Sequence, residues 1–271
     1  MQVALSRLPK VSFALLAAYM VATALRSHND TTIAIVSASV LMFACCWASA
    51  THLLGWRPAL QFVGIALVFG WFAEQMGATH GWFFGDYYYT EVLGTRLGAV
   101  PMVIPLMWFA LTYAGYVLAN LIIWQAPVDG MPGAGSAISL SFLAAMIVTA
   151  FDLGADPYLI RVVKAWVMVK QDGWWFTETI QGFFGWVFVS FAIILAFRWS
   201  VRRSPPQPVA PFLRRDALVP VAIYATGMVF QIFLGDPPET RVIAVFAMGI
   251  PLMCALAGFQ RWRALPQPPS A

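Results

Sequence analysis

Eight long apolar runs leave this chain few ways to fold. Residues 11–25, 32–54, 59–78, 100–124, 137–153, 183–197, 217–234 and 242–259 carry almost no charge. Crossing the ~30 Å hydrocarbon core of a bilayer takes about 20 apolar residues in a helix, and these runs reach or approach that length. Because a helix satisfies its own backbone hydrogen bonds in lipid, the expected fold is all-α. It is a polytopic transmembrane helical bundle of eight helices, organised as one integral-membrane domain over residues 1–271. Composition agrees: 61% of residues are hydrophobic and 10% charged, against about 25% charged in soluble domains. The hydrophobicity excludes disorder. The net charge of +4 is spread too thinly for a nucleic-acid partner. Cys45, Cys46 and Cys254 have neither metal nor disulfide spacing and read as small packing residues.

The first run is short, and Ala22-Thr23-Ala24 behind a basic start resembles a signal-peptide cleavage site. Cleavage there would leave seven helices. Orientation follows from lysine and arginine placement. With the N-terminus inside, Arg7, Lys10, Arg57, Arg198, Arg202, Arg203, Arg214, Arg215, Arg261 and Arg263 fall on the inner side, whereas Arg26, Arg96, Arg161, Lys164, Lys170 and Arg241 fall outside. This bias predicts a cytoplasmic (inner) membrane protein with both termini cytoplasmic. The segment 198–216, rich in arginine and proline, reads as an extended basic linker resting on anionic membrane lipids.

The acids are distributed differently. Asp129 and Asp216 fall inside, and the other ten, from Asp30 to Glu239, at or beyond the outer helix ends. Glu74 and Asp152 stand within the terminal turns of apolar helices, where a carboxylate is costly. Glu74 could snorkel or pair with Arg96; otherwise it is a desolvated acid able to hold a proton. Asp152 and Asp156 are spaced to share one helix face, although Asp156-Pro157 also has the form of a cap and first position of a new helix. Asp236-Pro237-Pro238-Glu239 repeats that signature. Lys164, Trp166, Lys170 and Asp172 suggest an interfacial helix.

The outer loop 79–99 holds Gly81-Trp82-Phe83-Phe84-Gly85-Asp86-Tyr87-Tyr88-Tyr89. Aromatics crowd membrane interfaces in any case. The repeated glycines, however, suit a tightly folded loop entering the bilayer, where irregular backbone must line a cavity. His28, His52 and His80 are scattered, so haem ligation between helices is not expected, and there is no Gly-rich phosphate loop.

Glu74 through Gly77 and Gly81, Phe84-Gly85-Asp86-Tyr87-Tyr88-Tyr89, Leu93-Gly94, Val100-Pro101 and Trp108 together resemble the membrane carotenoid-biosynthesis family. That family includes the carotenoid 1,2-hydratases and bisanhydrobacterioruberin hydratase. A second block agrees: Asp152, Asp156-Pro157, Trp166, Gly173-Trp174-Trp175-Phe176 and Phe183-Phe184-Gly185-Trp186. Where the family carries a Gly-Val-Pro and an Asn before its closing Phe-x-Gly-Trp, this chain has Thr177-Glu178-Thr179-Ile180-Gln181-Gly182, and Glu178 is an additional acid.

The resemblance implies a lyase of carotenoid biosynthesis, a hydratase adding water to a terminal isoprenoid double bond of a lipid-dissolved carotenoid, with no cofactor and no metal. Other carotenoid-pathway enzymes are implied as partners. Glu74, Asp86, Asp152 and Asp156 form the expected acid–base set. Trp82, Phe84, Tyr87, Tyr88, Tyr89, Trp108, Trp166 and Trp186 are the expected substrate-binding aromatics. Three other readings compete. Asp152-x-x-x-Asp156 resembles half the diphosphate–magnesium site of a membrane prenyltransferase. Intramembrane acids also mark transporters, and a non-catalytic carotenoid-binding protein would need the same aromatic walls.

Overall fold

A computed structural model describes residues 7–26, 32–128, 133–170 and 173–265. His28, Asp30, Asp129 and Asp172 lie outside the described residues. Among the described residues, eight helices are long and apolar enough to cross a membrane. They are α1 (Leu8–Arg26), α2 (Thr32–Leu54), α3 (Trp56–His80), α4 (Val103–Ile123), α5 (Ala134–Val163), α6 (Ile180–Val201), α7 (Arg214–Leu234) and α8 (Glu239–Ala264). The chain is an integral membrane protein. Its outer surface carries exposed apolar side chains such as Val21, Phe184, Phe233 and Ile250, as a lipid-facing surface requires.

Helix α4 runs through the middle. It is apolar all round, and only a helix enclosed by others can be so; Trp108, Phe109, Tyr113 and Tyr116 on its several faces are all buried. The two halves of the bundle differ. Towards the end bearing the segment between α6 and α7 (the linker end), the interior is filled with rings. Phe62 stacks on Phe197 at 4.1 Å, Tyr116 meets Phe197 edge-on at 5.4 Å, and Ser49 bonds the Tyr113 hydroxyl at 2.9 Å. Towards the other, loop end, the same helices stand around a cavity.

The loop end is built by the segment between α3 and α4. Gly81 closes α3 in the left-handed conformation, φ 68°, its N–H returning to the Gly77 carbonyl, a turn that glycine adopts without a Cβ penalty. The chain then forms β1 (Tyr87–Tyr89), β2 (Arg96–Leu97) and β3 (Val100–Pro101), with β2 antiparallel to β3. Strand β4 (Trp166–Met168) pairs antiparallel with β1, placing Tyr89 opposite Trp166 and Tyr87 opposite Met168. The expected interfacial helix around Trp166 is therefore a strand. Alternating Trp166-Val167-Met168 matches the burial alternation of the three tyrosines, a period-2 pattern that a helix cannot satisfy. Lys164, at φ 55°, turns the chain into it.

Helix α5 also departs from expectation. It does not stop before Pro157 but passes through it to Tyr158 and continues as a π-helical turn, Leu159–Val163. Asp156 is therefore a helix-interior residue and caps nothing. Proline lacks the N–H that would bond the carbonyl four residues back, and a bare carbonyl at this depth is costly. The indole Nε1 of Trp175 supplies the donor, bonding the Leu153 carbonyl at 3.0 Å.

Two further expectations are corrected. Helix α8 begins after Pro238 with no side-chain cap; Asp236 instead pairs with Arg161 at 3.2 Å. The 198–216 segment is only partly a solvated linker. Arg198 still belongs to α6, buried against the Tyr116 ring with its guanidinium bonded to Asn120 at 2.8 Å. Arg214 donates to the last carbonyls of α8, and Asp216 is buried against His52 at 2.9 Å. Arg202, Arg203 and Arg215 remain exposed. Residues 22–24, the possible cleavage site, lie inside α1.

Candidate active site

Glu74 points inward from the last turns of α3 and is 5% exposed. It does not pair with Arg96, which bonds Glu91 at 2.9 Å. Three donors hold its carboxyl: Tyr87 Oη at 2.5 Å and Tyr89 Oη at 2.6 Å on Oε2, and Trp108 Nε1 at 2.9 Å on Oε1. The tyrosines converge because residues two apart on a strand share a face. Tyr88, between them, is exposed. Gly77 lets Tyr87 approach, since a Cβ there would stand 2.9 Å from its hydroxyl. Burial, and after it the Glu74 charge, hold both phenols well above their usual range, so they remain donors.

Across the cavity stand three more buried acids. Helix α5, continuous through Pro157, keeps Asp152 and Asp156 on one face, 1% and 5% exposed. Glu178, 3% exposed, joins them from the segment before α6. This segment is a tight loop in which Phe176 and Thr177 take positive φ (53° and 85°) and Trp175 and Glu178 bond to one another's backbone. Thr179 then caps α6 by accepting from the Gly182 N–H at 3.1 Å. The Asp156 carboxyl lies within hydrogen-bonding reach of both Asp152 and Glu178. Apart from the Asp156 carboxyl, no donor among the described residues reaches either oxygen of Asp152. An acid–acid hydrogen bond requires a proton on one partner, and three carboxyls in contact cannot all ionise freely. Burial first, and the Asp156 charge second, hold the Glu178 carboxyl well above the ordinary carboxylate range. The cluster is built to retain protons.

These acids cap a cavity of about 1300 Å³, counting its open mouth. Its walls come from α1 to α7 and from β1 and β4. On α4 the lining runs from Ile104 to Leu111, about 10 Å at 1.5 Å per residue, before the ring-filled half begins. The walls are apolar and aromatic. Trp108 stacks on Trp186 at 4.4 Å, Phe84 packs against both, and Tyr89 meets Trp166 at 5.9 Å.

Glu74, Asp152, Asp156, Phe84, Tyr87, Tyr89, Trp108, Trp166 and Trp186 are thus brought together from distant parts of the chain. Asp86, Trp82 and Tyr88 are not. All three are exposed and none lines the cavity. Asp86 folds back over the end of α3, where a Cβ on Gly81 would collide with its Oδ1. The sequence singled out neither Gln231 nor Arg26, both of which line the cavity. A lone amide within the apolar run of α7 was the signal for Gln231. Arg26 was counted as a loop charge, yet its guanidinium lies 5.6 Å from the Tyr158 ring and 5.0 Å from that of Phe230.

The fold and site together define a class: a polytopic membrane protein enclosing an apolar, aromatic-walled cavity with a cluster of carboxyls at one end. The family model described as "carotenoid biosynthesis protein" matches residues 13–256, and the chain belongs to that family. The matched stretch contains every residue of the cavity. The chain's role therefore lies in carotenoid biosynthesis. No curated protein and no solved structure gives a significant match.

Proposed function

We propose that the protein hydrates the terminal C1–C2 double bond of an acyclic carotenoid end group, giving a tertiary hydroxyl. The observation that carries this proposal is the chain of carboxyl contacts Asp152–Asp156–Glu178, buried at the head of an apolar cavity. A desolvated carboxylic acid is a suitable proton donor to an alkene, because it stays neutral until it reacts.

The cluster gives a proton to C2, the π electrons form the new C–H bond, and C1 becomes a tertiary carbocation. Water adds through oxygen to C1 and returns one proton to the ionised carboxylate. Acid is regenerated, and alkene plus water becomes alcohol. Asp156, between the other two, can pass a proton to either. The Trp108–Trp186 stack offers ring faces to the cation, on the order of 2 kcal/mol for each desolvated contact. Glu74, held by its three donors, fixes Tyr87, Tyr89 and Trp108 around the end group. The polyene lies along the apolar walls with its end group at the acids.

Expression in a lycopene-producing host, followed by mass analysis of the extracted pigments, tests the proposal. Pigment heavier by the mass of one or two waters supports it, and unchanged pigment with the protein present in the membrane counts against it.

A further inference from the structure

From the buried amide of Gln231, we infer that it positions the attacking water together with Asp152. The inference rests on the hydration proposed above. Gln231 is 3% exposed on α7 and lines the cavity. Its Nε2 is fixed by a 2.8 Å bond to the Phe151 carbonyl, which sets the amide orientation and leaves Oε1 as an acceptor. Among the described residues no donor reaches that buried oxygen, and none besides the Asp156 carboxyl reaches Asp152. It lies beside Gly154, where a Cβ would collide with it. The amide therefore spans the backbone on either side of Asp152.

Buried acceptors are costly unless a donor reaches them. A water molecule has two O–H groups, and giving one to Gln231 Oε1 and the other to Asp152 satisfies both acceptors. Both hydrogens are then directed at the wall, and the oxygen lone pairs face the cavity, where C1 of the cation would lie. Asp152 takes the proton that water loses on forming the C–O bond. Gln231 does not titrate in this range and touches neither proton donor nor alkene, so its part is to position the nucleophile.

The cation has two fates, capture by water or loss of a neighbouring proton to return the alkene. In heavy water the second leaves deuterium in recovered substrate. The ratio of deuterium exchange to hydration therefore reports capture alone, whereas a merely structural defect lowers both together. Gln231→Met keeps the length and removes the acceptor; Gln231→Glu keeps Oε1. Gly154→Ala leaves Gln231 in place but pushes its carbonyl aside. The ratio is expected to rise roughly tenfold in Gln231→Met, the kinetic worth of one hydrogen bond, to rise also in Gly154→Ala, and to fall back towards wild type in Gln231→Glu. A wild-type ratio in both Gln231→Met and Gly154→Ala overturns the inference. If Gln231→Met fails to accumulate, Gly154→Ala decides alone, and failure of both to accumulate assigns the amide to packing and also overturns it. A wild-type protein that gives no hydrated product at all refutes the hydratase proposal instead.

Discussion

Asp156 on α5 and Glu178 in the segment before α6 stand carboxyl to carboxyl at the head of the cavity, with Asp152 on the far side of Asp156. Neighbouring acids of this kind share protons, and their titration belongs to the group. Burial and then the Asp156 charge raise the Glu178 pKa well above the ordinary carboxylate range. A donor must be protonated to act. Activity is therefore expected to hold at low pH and to fall as pH rises through the range in which the cluster loses its shared protons. Glu178→Gln removes one negative charge from the cluster, so this alkaline limb should move to lower pH. Rates against pH for the two proteins check this, and superimposable profiles would contradict it.

Amide substitution separates the roles of the acids. Asp152→Asn and Asp156→Asn keep size but remove a transferable proton, and removing a general acid or base typically costs about 10²–10⁴-fold. Glu74→Gln puts an amide where three donors converge and should also abolish hydrated product. Tyr87→Phe and Tyr89→Phe each delete one bond to Glu74, with a smaller loss of roughly tenfold for one hydrogen bond. Arg215→Gln, exposed at the linker end, should behave as wild type. Near-normal product in all the acid variants would remove acid catalysis from this site.

Asp86 gives the sharpest contrast between sequence and structure. Asp86→Asn and Tyr88→Phe are expected to retain near-wild-type turnover, because both side chains are exposed and outside the cavity. Turnover measured beside Glu74→Gln checks this; a comparable loss in Asp86→Asn would place the reacting end of the substrate outside the cavity.

The eight helices were legible because length and hydropathy alone govern insertion into lipid. Glu74 and Asp152 were legible because carboxylates within apolar turns are rare and expensive. What local pattern could not supply was long-range pairing. Tyr88 and Asp86 belong to the same polar–aromatic run as Tyr87 and Tyr89, and only the pairing of β1 with β4 decides which face is inside. Pro157 read as a helix boundary because proline removes a helical bond. The donor that replaces it, Trp175, is remote in sequence. Arg198 and Asp216 read as parts of a solvated linker because their partners, Asn120 and His52, are still more remote in sequence.

Orientation is testable independently of chemistry. The excess of basic residues at the linker end predicts that it faces the cytoplasm. With the exposed Cys254 replaced by serine, a membrane-impermeant thiol reagent should label Asp86→Cys in intact cells and Arg215→Cys only in inverted vesicles. The opposite pattern would invert the topology.

Hydration transfers no electrons and needs no diphosphate. Turnover in detergent is accordingly expected to survive a chelator and the removal of nucleotides. Loss on chelation with recovery in magnesium would favour diphosphate chemistry at Asp152 and Asp156.

The central claim is that this cavity adds water to the end of a polyene. Purified protein incubated with an acyclic carotenoid in heavy-oxygen water tests it most directly, read by mass analysis of the product. The account predicts a hydroxylated carotenoid carrying the solvent's heavy oxygen, formed by the wild type and essentially absent with Asp152→Asn. Recovery of unchanged carotenoid from active-site-intact wild-type protein, or a hydroxyl without the solvent label, would contradict it.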